Sequence, residues 1–244
     1  MNGNPNLKID WCTYEAAKFA CENWHYSKTM PVGKIFKIGI WENNIFIGCV
    51  LFSRGANNNM LKSYNLKVNE GCELTRIALS KHSNSVTTIV SQAISILKHK
   101  NNGLRLIVSY ADKDQSHLDI IYQAGNWIYV GSSMNNKPDG SWILNGKRKH
   151  GKSISDLIVR KGGLKGNTRE KYIRKYIDKN AIKYITKGKH KYLMPLDKKM
   201  RRQIIKLSKP YPKKICPKGV TGSTSGFQPE GIGPSPISGL GVKR

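Results

Sequence analysis

A chain of 244 residues with 39% hydrophobic content is long enough for one domain with a real core plus an appendage. Its 42 Lys and Arg against 15 Asp and Glu give a formal net charge of +27, self-repulsion that a polyanionic partner relieves; nucleic acid is the first expectation and an anionic membrane the second. The absence of an apolar run of about 18 residues excludes a membrane-spanning helix, the N-terminal MNGNPNLKID has no signal-peptide pattern, and Cys12, Cys21, Cys49, Cys72 and Cys216 form no CxxC pair. A soluble, cytoplasmic protein without a disulfide framework is therefore expected.

Trp11 to Trp24 (WCTYEAAKFACENW) has apolar and aromatic residues at helical spacing, with Thr13 as N-cap and the polar WHYSK turn as its end. Lys34 to Trp41 and Ile45 to Phe52 are β-rich runs joined by Glu42-Asn43-Asn44, a hairpin. Cys72 to Leu79 (CELTRIAL) alternates as a strand does. Ser85 to His99 follows as an amphipathic helix whose apolar stripe includes Ile89, Val90, Ala93, Ile94 and Leu97. Leu104 to Ser132 supplies a strand, a polar SYADKDQ turn, a short helix from about His117 to Ala124 and a second strand; Gly140 to Asn145 gives a last short strand. The order predicts an α/β fold with a mixed, mostly antiparallel central sheet flanked by helices.

Charge divides the chain into three. Residues 1–146 carry 15 basic against 10 acidic residues and read as the globular, catalytic domain; residues 147–218 carry 25 against 4 and read as a basic extension. Residues 219–244, rich in Gly, Ser and Pro, read as a disordered tail. In the extension Lys147, Arg148, Lys149 and Lys152 precede Arg160 and Lys161 on a loop that glycines keep supple. Thr168 to Tyr176 reads as a short helix, capped by Thr168 and exposing Arg174 and Lys175, and Tyr184 to Pro195 as a final strand region. Such density of charge, interleaved with tyrosines, exceeds what a solvated face needs. Counterion release on double-stranded DNA accounts for it, and predicts weak sequence preference with steep salt dependence.

The order of elements resembles the Gcn5-related N-acetyltransferase fold. In that family the loop after the fourth strand holds the acyl-CoA pyrophosphate on N–H groups at a helix N-terminus. The matching stretch here, SKHSNSV (Ser80 to Val86), lacks the family's loop glycines, although Ser83, Asn84 and Ser85 offer donors. Arg76, suited to a donor's phosphate or carboxylate, and Ile77 beside it complete the cofactor-binding set, with a surface ion pair as the alternative for Arg76. Tyr122 resembles the tyrosine that assists the leaving thiolate in acetyltransferases; core packing is its alternative.

Four segments, WHYSKTMPVGK, CELTRIAL, SYADKDQSHLDIIYQAGNWIYVG and the stretch ending RRQIIKLSKPYPK, together resemble the phage Mom proteins over roughly the first 215 residues. The resemblance implies an enzyme that converts adenine in DNA to N6-(carbamoylmethyl)adenine and so protects phage DNA from host restriction, acting in the host cytoplasm. It also implies a small-molecule donor that the sequence does not identify, with acyl-CoA one option, and room for a bound iron. Two other classes fit the composition: an acyl-CoA N-acyltransferase acting on a protein or small amine, and a non-enzymatic DNA-binding protein.

Adenine N6 is a poor nucleophile, so an enzyme must position it, take a proton and stabilise developing charge. His25, beside Tyr26 in the turn after the first helix, suits proton transfer, the alternative being a histidine that only hydrogen-bonds its turn. Asp112, at the end of its strand, suits proton acceptance or orienting His25, whereas Asp114 reads as a cap of the following helix. Ser109 and Tyr110 point to opposite faces of the strand, so one looks into the cleft and the other packs. Glu73 and Arg76, three apart, face opposite sides if their strand is regular. Tyr26, Tyr110 and Trp127 are candidates to stack on an extruded base. The six histidines show no local zinc spacing; an iron would take His25 with Asp112, and Tyr26 as a further ligand.

Overall fold

The computed structural model describes residues 6–31, 33–55, 59–115, 120–133, 136–162 and 169–212. The cap at Thr168, the helix start near His117 and the tail 219–244 lie outside these. The chain opens with an edge strand, β1 (Leu7–Trp11), that no hydrophobic run announces, since only Leu7 and Ile9 turn partly inward. Helix α1 (Tyr14–Trp24) follows, and the Thr13 Oγ1 accepts the Ala16 N–H at 3.2 Å as its cap. Its small residues Ala17, Ala20 and Cys21 let it lie close against Cys49, Leu51 and Ala78 of the sheet.

Strands β2 (Ile35–Glu42) and β3 (Ile45–Ser53) form the expected hairpin, turned by Asn43 and Asn44 at φ 49° and 65°. Asparagine tolerates the left-handed pair that a tight hairpin turn requires. Strand β4 (Gly71–Leu79), helix α2 (Val86–Lys100), strand β5 (Leu106–Asp112), helix α3 (Ile120–Ala124) and strand β6 (Ile128–Ser133) complete the first half. The Ser85 Oγ caps α2 by accepting the Thr88 N–H at 3.1 Å.

The basic half is folded rather than appended. Strands β7 (Lys137–Leu144), β8 (Lys147–Lys149) and β9 (Ile182–Thr186) make a small sheet in the order β8-β7-β9. Helices α4 (Gly151–Arg160) and α5 (Arg169–Tyr176) accompany it, and Ile154, Ile158 and Ile173 share a core with Trp142, Leu144 and Ala181. The supple loop expected after residue 150 is thus the helix α4: Ile154 and Ile158, one turn apart, give it a buried stripe. The single strand region expected from Tyr184 to Pro195 is broken at Gly188, whose φ of 94° favours glycine, into β9 and β10 (Lys189–Pro195).

Strand β10 inserts between β5 and β6, so the main sheet has the order β1-β2-β3-β4-β5-β10-β6. Tyr192 and Leu193 of this strand are fully buried, and helix α6 (Lys198–Ile204) packs Met200 and Ile204 under the same sheet. A boundary at residue 146 therefore does not separate two structures: a strand from the basic segment completes the central sheet, because its apolar residues are needed between β5 and β6. Arg105, at the entrance to β5, fastens this return by pairing its Nε with Asp197 Oδ2 at 2.8 Å.

In the main sheet β4 and β5 are parallel, and its other pairs are antiparallel. The parallel pairing lasts only from Gly71 opposite Leu106 to Leu74 opposite Ser109, after which the two strands part. One face of the sheet carries α2 and α3 over Cys72, Leu74, Ile107 and Ala111. The other carries α1 over β3 and β4, and α6 over Leu106 and Val108.

Candidate active site

Beyond Leu74 and Ser109 strands β4 and β5 no longer pair with each other. On the α2 and α3 side lies a cleft of about 510 Å³ lined by Ile77, Thr88, Ser91, Tyr122 and Asn126 among others. The Ser109 Oγ donates to the Leu74 carbonyl at 3.1 Å, so its single proton is committed and the Tyr122 hydroxyl, 2.9 Å away, donates to it. The Tyr122 ring stacks on Tyr192 with centroids 4.5 Å apart and meets Trp127 edge-on. Ser109 is 1% exposed. It lies buried between the Leu74 carbonyl and the Tyr122 hydroxyl.

The opposite face holds a charged cluster, and a bulge assembles it. Leu51 lies opposite Arg76 and Phe52 opposite Leu74, leaving Thr75 as the extra residue, with its Oγ1 on the Leu51 carbonyl at 3.0 Å. Glu73 is opposite Ser53, two residues from Leu51. Glu73 and Arg76 therefore share a face, contrary to the opposite faces expected of a regular strand. The Arg76 Nη1 donates to the Thr75 carbonyl at 2.7 Å, while its Nε is buried without a hydrogen-bond partner among the described residues. Arg76 and Ile77, grouped from sequence, point to opposite faces.

Tyr110 and Asp112 emerge from β5 on the same side as this pair. Lys191, opposite Tyr110 in β10, sits over the rings of Tyr64 and Tyr110 at 5.1 and 5.8 Å. Burial pushes the Tyr110 phenol up, with the Glu73 charge acting in the same direction and Lys191 against it. The turn after α1 brings His25 and Tyr26 to the cluster. Burial and the Asp112 carboxylate push the Tyr26 phenol up, and the Arg76 and Arg148 charges oppose them. Asp112, Arg76 and Arg148, from three separate segments, thus all act on Tyr26.

The His25 Nδ1 accepts the Ser27 N–H at 3.1 Å and lies 2.8 Å from the Ser27 hydroxyl. A ring nitrogen that accepts an N–H carries no proton, so a neutral His25 holds its proton on Nε2. This tautomer presents a donor, not the lone pair that a general base needs. The imidazole also packs against the Tyr26 ring, tilted by 33° with centroids 4.2 Å apart, and is 7% exposed. His25 thus holds the turn beside Tyr26, and the Asp112 Oδ1 accepts the Asp114 N–H at 3.0 Å.

Asp114, expected as the cap or first-turn charge of the following helix, lies in a 3-10 turn (Lys113–Gln115) and anchors the small sheet. Its carboxylate accepts the Thr186 hydroxyl and the Lys187 N–H, each at 2.9 Å, and pairs with Arg148 at 3.6 Å. Burial pushes its carboxyl upward, but these bonds, the Tyr184 hydroxyl and the Arg148 charge outweigh it and hold the carboxyl below the usual carboxylate range. The Arg148 guanidinium lies 3.8 Å over the Tyr184 ring. Arg148, expected on the DNA-contacting surface, is exposed in the short β8 and also reaches this cluster through Asp114 and Tyr184.

The donors expected to hold a cofactor pyrophosphate are already in use. The Glu42 carboxylate accepts the Ser83 N–H at 3.0 and 3.1 Å, the Asn84 N–H at 2.7 Å and the Asn84 side-chain N–H at 2.8 Å. Ser85 is spent on the cap and on the hydroxyls of Thr87 and Thr88. Ser83, Asn84 and Ser85, expected as cofactor ligands, thus make these bonds within the fold. Of the set derived from sequence, Ile77 lines the cleft.

An iron does not fit these residues. Among the described residues no three His, Cys, Asp or Glu side chains gather to hold a metal ion. The Nδ1 of His25 is committed to Ser27, and Asp112 shares one oxygen with the Asp114 N–H.

Lys147, Lys149, Arg160, Lys161, Arg174 and Lys175 are exposed on the small-sheet half. Arg174 pairs with Glu170 at 3.3 Å, and Lys175 lies 4.9 Å over Tyr176. The side chain of Lys152 lies outside the described residues. No helix among the described residues is long and apolar enough to cross a membrane.

The fold and site define a mixed α/β protein whose sheet opens between two parallel strands beside a cleft that Tyr122 helps to line, with a basic half returning a strand to that sheet. Among solved structures it is similar to a protein of Acinetobacter baylyi ADP1 described as an acetyltransferase, with a TM-score of 0.44 and 9% identity over 81% of this chain and 96% of that one. It is also similar to the AHL synthase LasI, with a TM-score of 0.38 and 10% identity over 86% and 100% of the two chains. The chain belongs to the Mom protein family, whose family model matches residues 6–213. Among curated relatives it is similar to the methylcarbamoylase mom of Escherichia phage Mu, at 23% identity over 220 residues and 86% of each chain.

Proposed function

We propose that this protein is a phage-encoded transferase that places a carbamoylmethyl group on N6 of adenine in double-stranded DNA, protecting that DNA from restriction in the host cytoplasm. The observation that carries the reading is strand β8, in which Arg148 joins the charged cluster while Lys147 and Lys149 are exposed beside it. A site continuous with a basic surface suits a reacting group carried on a polyanion. Membership of the Mom family and the methylcarbamoylase among its relatives support the same substrate.

In this reading Lys147, Lys149, Lys152, Arg160, Lys161, Arg174 and Lys175 grip phosphates and set the register of the duplex without reading sequence. The target adenine leaves the stack, since N6 must be enclosed to react, and Tyr26, half exposed at the mouth of the cluster, stacks on it. The N6–carbon bond forms as the bond from that carbon to the donor's leaving group breaks. One N6 proton passes to the Asp112 carboxylate. Arg76 and Arg148 stabilise negative charge that develops in transfer, and Tyr122, in the cleft across the sheet, serves the leaving group.

Mass spectrometry of nucleosides from DNA of cells expressing the protein tests the reading. A deoxyadenosine heavier by a carbamoylmethyl group is the expected product, lost on Asp112→Asn. Unaltered nucleosides from an active preparation, with turnover of acyl-CoA onto an amine, would favour an N-acyltransferase instead.

A further inference from the structure

We infer that Glu42 is a built-in anion that closes the diphosphate site of this fold, so that the group donor of this protein carries no diphosphate arm seated at the start of α2. The inference deepens the reading above by naming the class of donor, and it rests on that reading only for the reaction.

A helix N-terminus offers unpaired N–H groups and the positive end of the helix dipole, a natural seat for phosphate. Here α2 has 15 residues and a well-formed cap at Ser85. Its approach, Ser83 and Asn84, directs two backbone N–H groups and one side-chain amide to a single point. The Glu42 carboxylate occupies that point. It comes from the last residue of β2, next to the Asn43-Asn44 turn, and is only 8% exposed. Burial would push its carboxyl up, but the N–H bonds and the nearby His82 charge hold it below the usual carboxylate range. At neutral pH the seat is therefore filled by a full negative charge with its hydrogen bonds made.

A diphosphate placed there would meet this charge at close range and would have to displace a buried carboxylate from its hydrogen bonds. Glycines would let a backbone wrap around phosphate oxygens, and Ser80 to Val86 contains none. The cleft itself stays open: its walls of Ile77, Thr88, Ser91, Tyr122 and Asn126 lie beyond Glu42, which is not among its lining residues. A donor recognised through that cleft needs no diphosphate.

The test is calorimetric binding of coenzyme A and of inorganic pyrophosphate to the full chain, its Glu42→Gln and Glu42→Ala variants, and Asn84→Leu, with thermal melts as folding controls. At least one Glu42 variant that retains a cooperative melt is expected to bind pyrophosphate tenfold or more tightly than the wild type. No gain in a folded Glu42 variant overturns the inference. Should neither Glu42 variant fold, Asn84→Leu decides, because it removes a donor and leaves Glu42 in place. Coenzyme A binding by the wild type that is absent, or unchanged in Asn84→Leu, supports the inference; binding weakened tenfold or more overturns it. Nucleoside mass spectrometry on the wild type judges the DNA-modification reading separately, since neither of its outcomes alters these affinities.

Discussion

Arg148 reaches Asp114 at 3.6 Å and so ties the short basic strand β8 to the loop at the end of β5. The pair joins the half of the molecule that carries most of the charge to the half that carries the parted strands. Lys147 and Lys149, exposed like Arg148 itself, flank it in β8.

Arg148→Ala is expected to lower kcat by about 100-fold, the scale seen when one stabilising donor is removed from an active site. Lys149→Ala is expected to act through KM and to reduce the salt slope of DNA binding by about one. Steady-state kinetics and binding titrations over a range of salt separate the two effects. Equal effects of both substitutions on kcat would remove Arg148 from the site.

Asp112→Asn removes the proton acceptor at little change of shape, and a loss of about 10²- to 10⁴-fold in turnover is expected with DNA binding retained. Because the His25 Nδ1 is committed to the Ser27 N–H, His25→Gln is expected to be the milder of the two. Single-turnover modification assays and gel-shift binding on the same preparations check this ranking.

Tyr122→Phe deletes the hydroxyl that donates to the buried Ser109 and leaves that oxygen one bond short. A stability loss of about 1 to 2 kcal/mol is expected by chemical denaturation. A fall in kcat of tenfold or more at unchanged KM for DNA is expected from its place in the donor cleft. Full retention of kcat would leave the residue a packing tyrosine.

Glu42 and Asp114 both have carboxyls held below their ordinary values in the folded chain. A depressed folded pKa means that the unfolded chain binds protons first as pH falls. The stabilisation is therefore present above the unfolded values of about 4 and is lost on acidification through the folded values. Denaturation midpoints between pH 6 and pH 3 should drop steeply in the wild type, and less steeply in Glu42→Gln and Asp114→Asn. Parallel pH profiles for all three proteins would contradict this.

Ile154 is fully buried in the core of the small sheet. Ile154→Ala is expected to cost about 2 to 5 kcal/mol and to weaken DNA binding with it, because α4 presents Arg160 and β8 presents Lys147 and Lys149. Circular dichroism melts with binding titrations test both parts.

Periodicity and turn chemistry alone determined much of this protein. Thr13 and Ser85 cap the helices read from spacing, Asn43 and Asn44 turn the hairpin, and CELTRIAL and LRLIVSY are strands β4 and β5, because these signals act within a few residues of the backbone. The excess of Lys and Arg and the family resemblance were equally legible, the family being carried by short segments of sequence. Tertiary structure decided the rest. The bulge at Thr75 leaves no mark in sequence, yet it moves Arg76 to the face of Glu73. Edge strand β1 is too polar to announce itself, and the place of β10 depends on a pairing with residues about 80 positions earlier. The occupant of the α2 N-terminus, Glu42, lies 41 residues away from Ser83. In each case the deciding contact is between groups distant in sequence, set by burial and charge rather than by local preference.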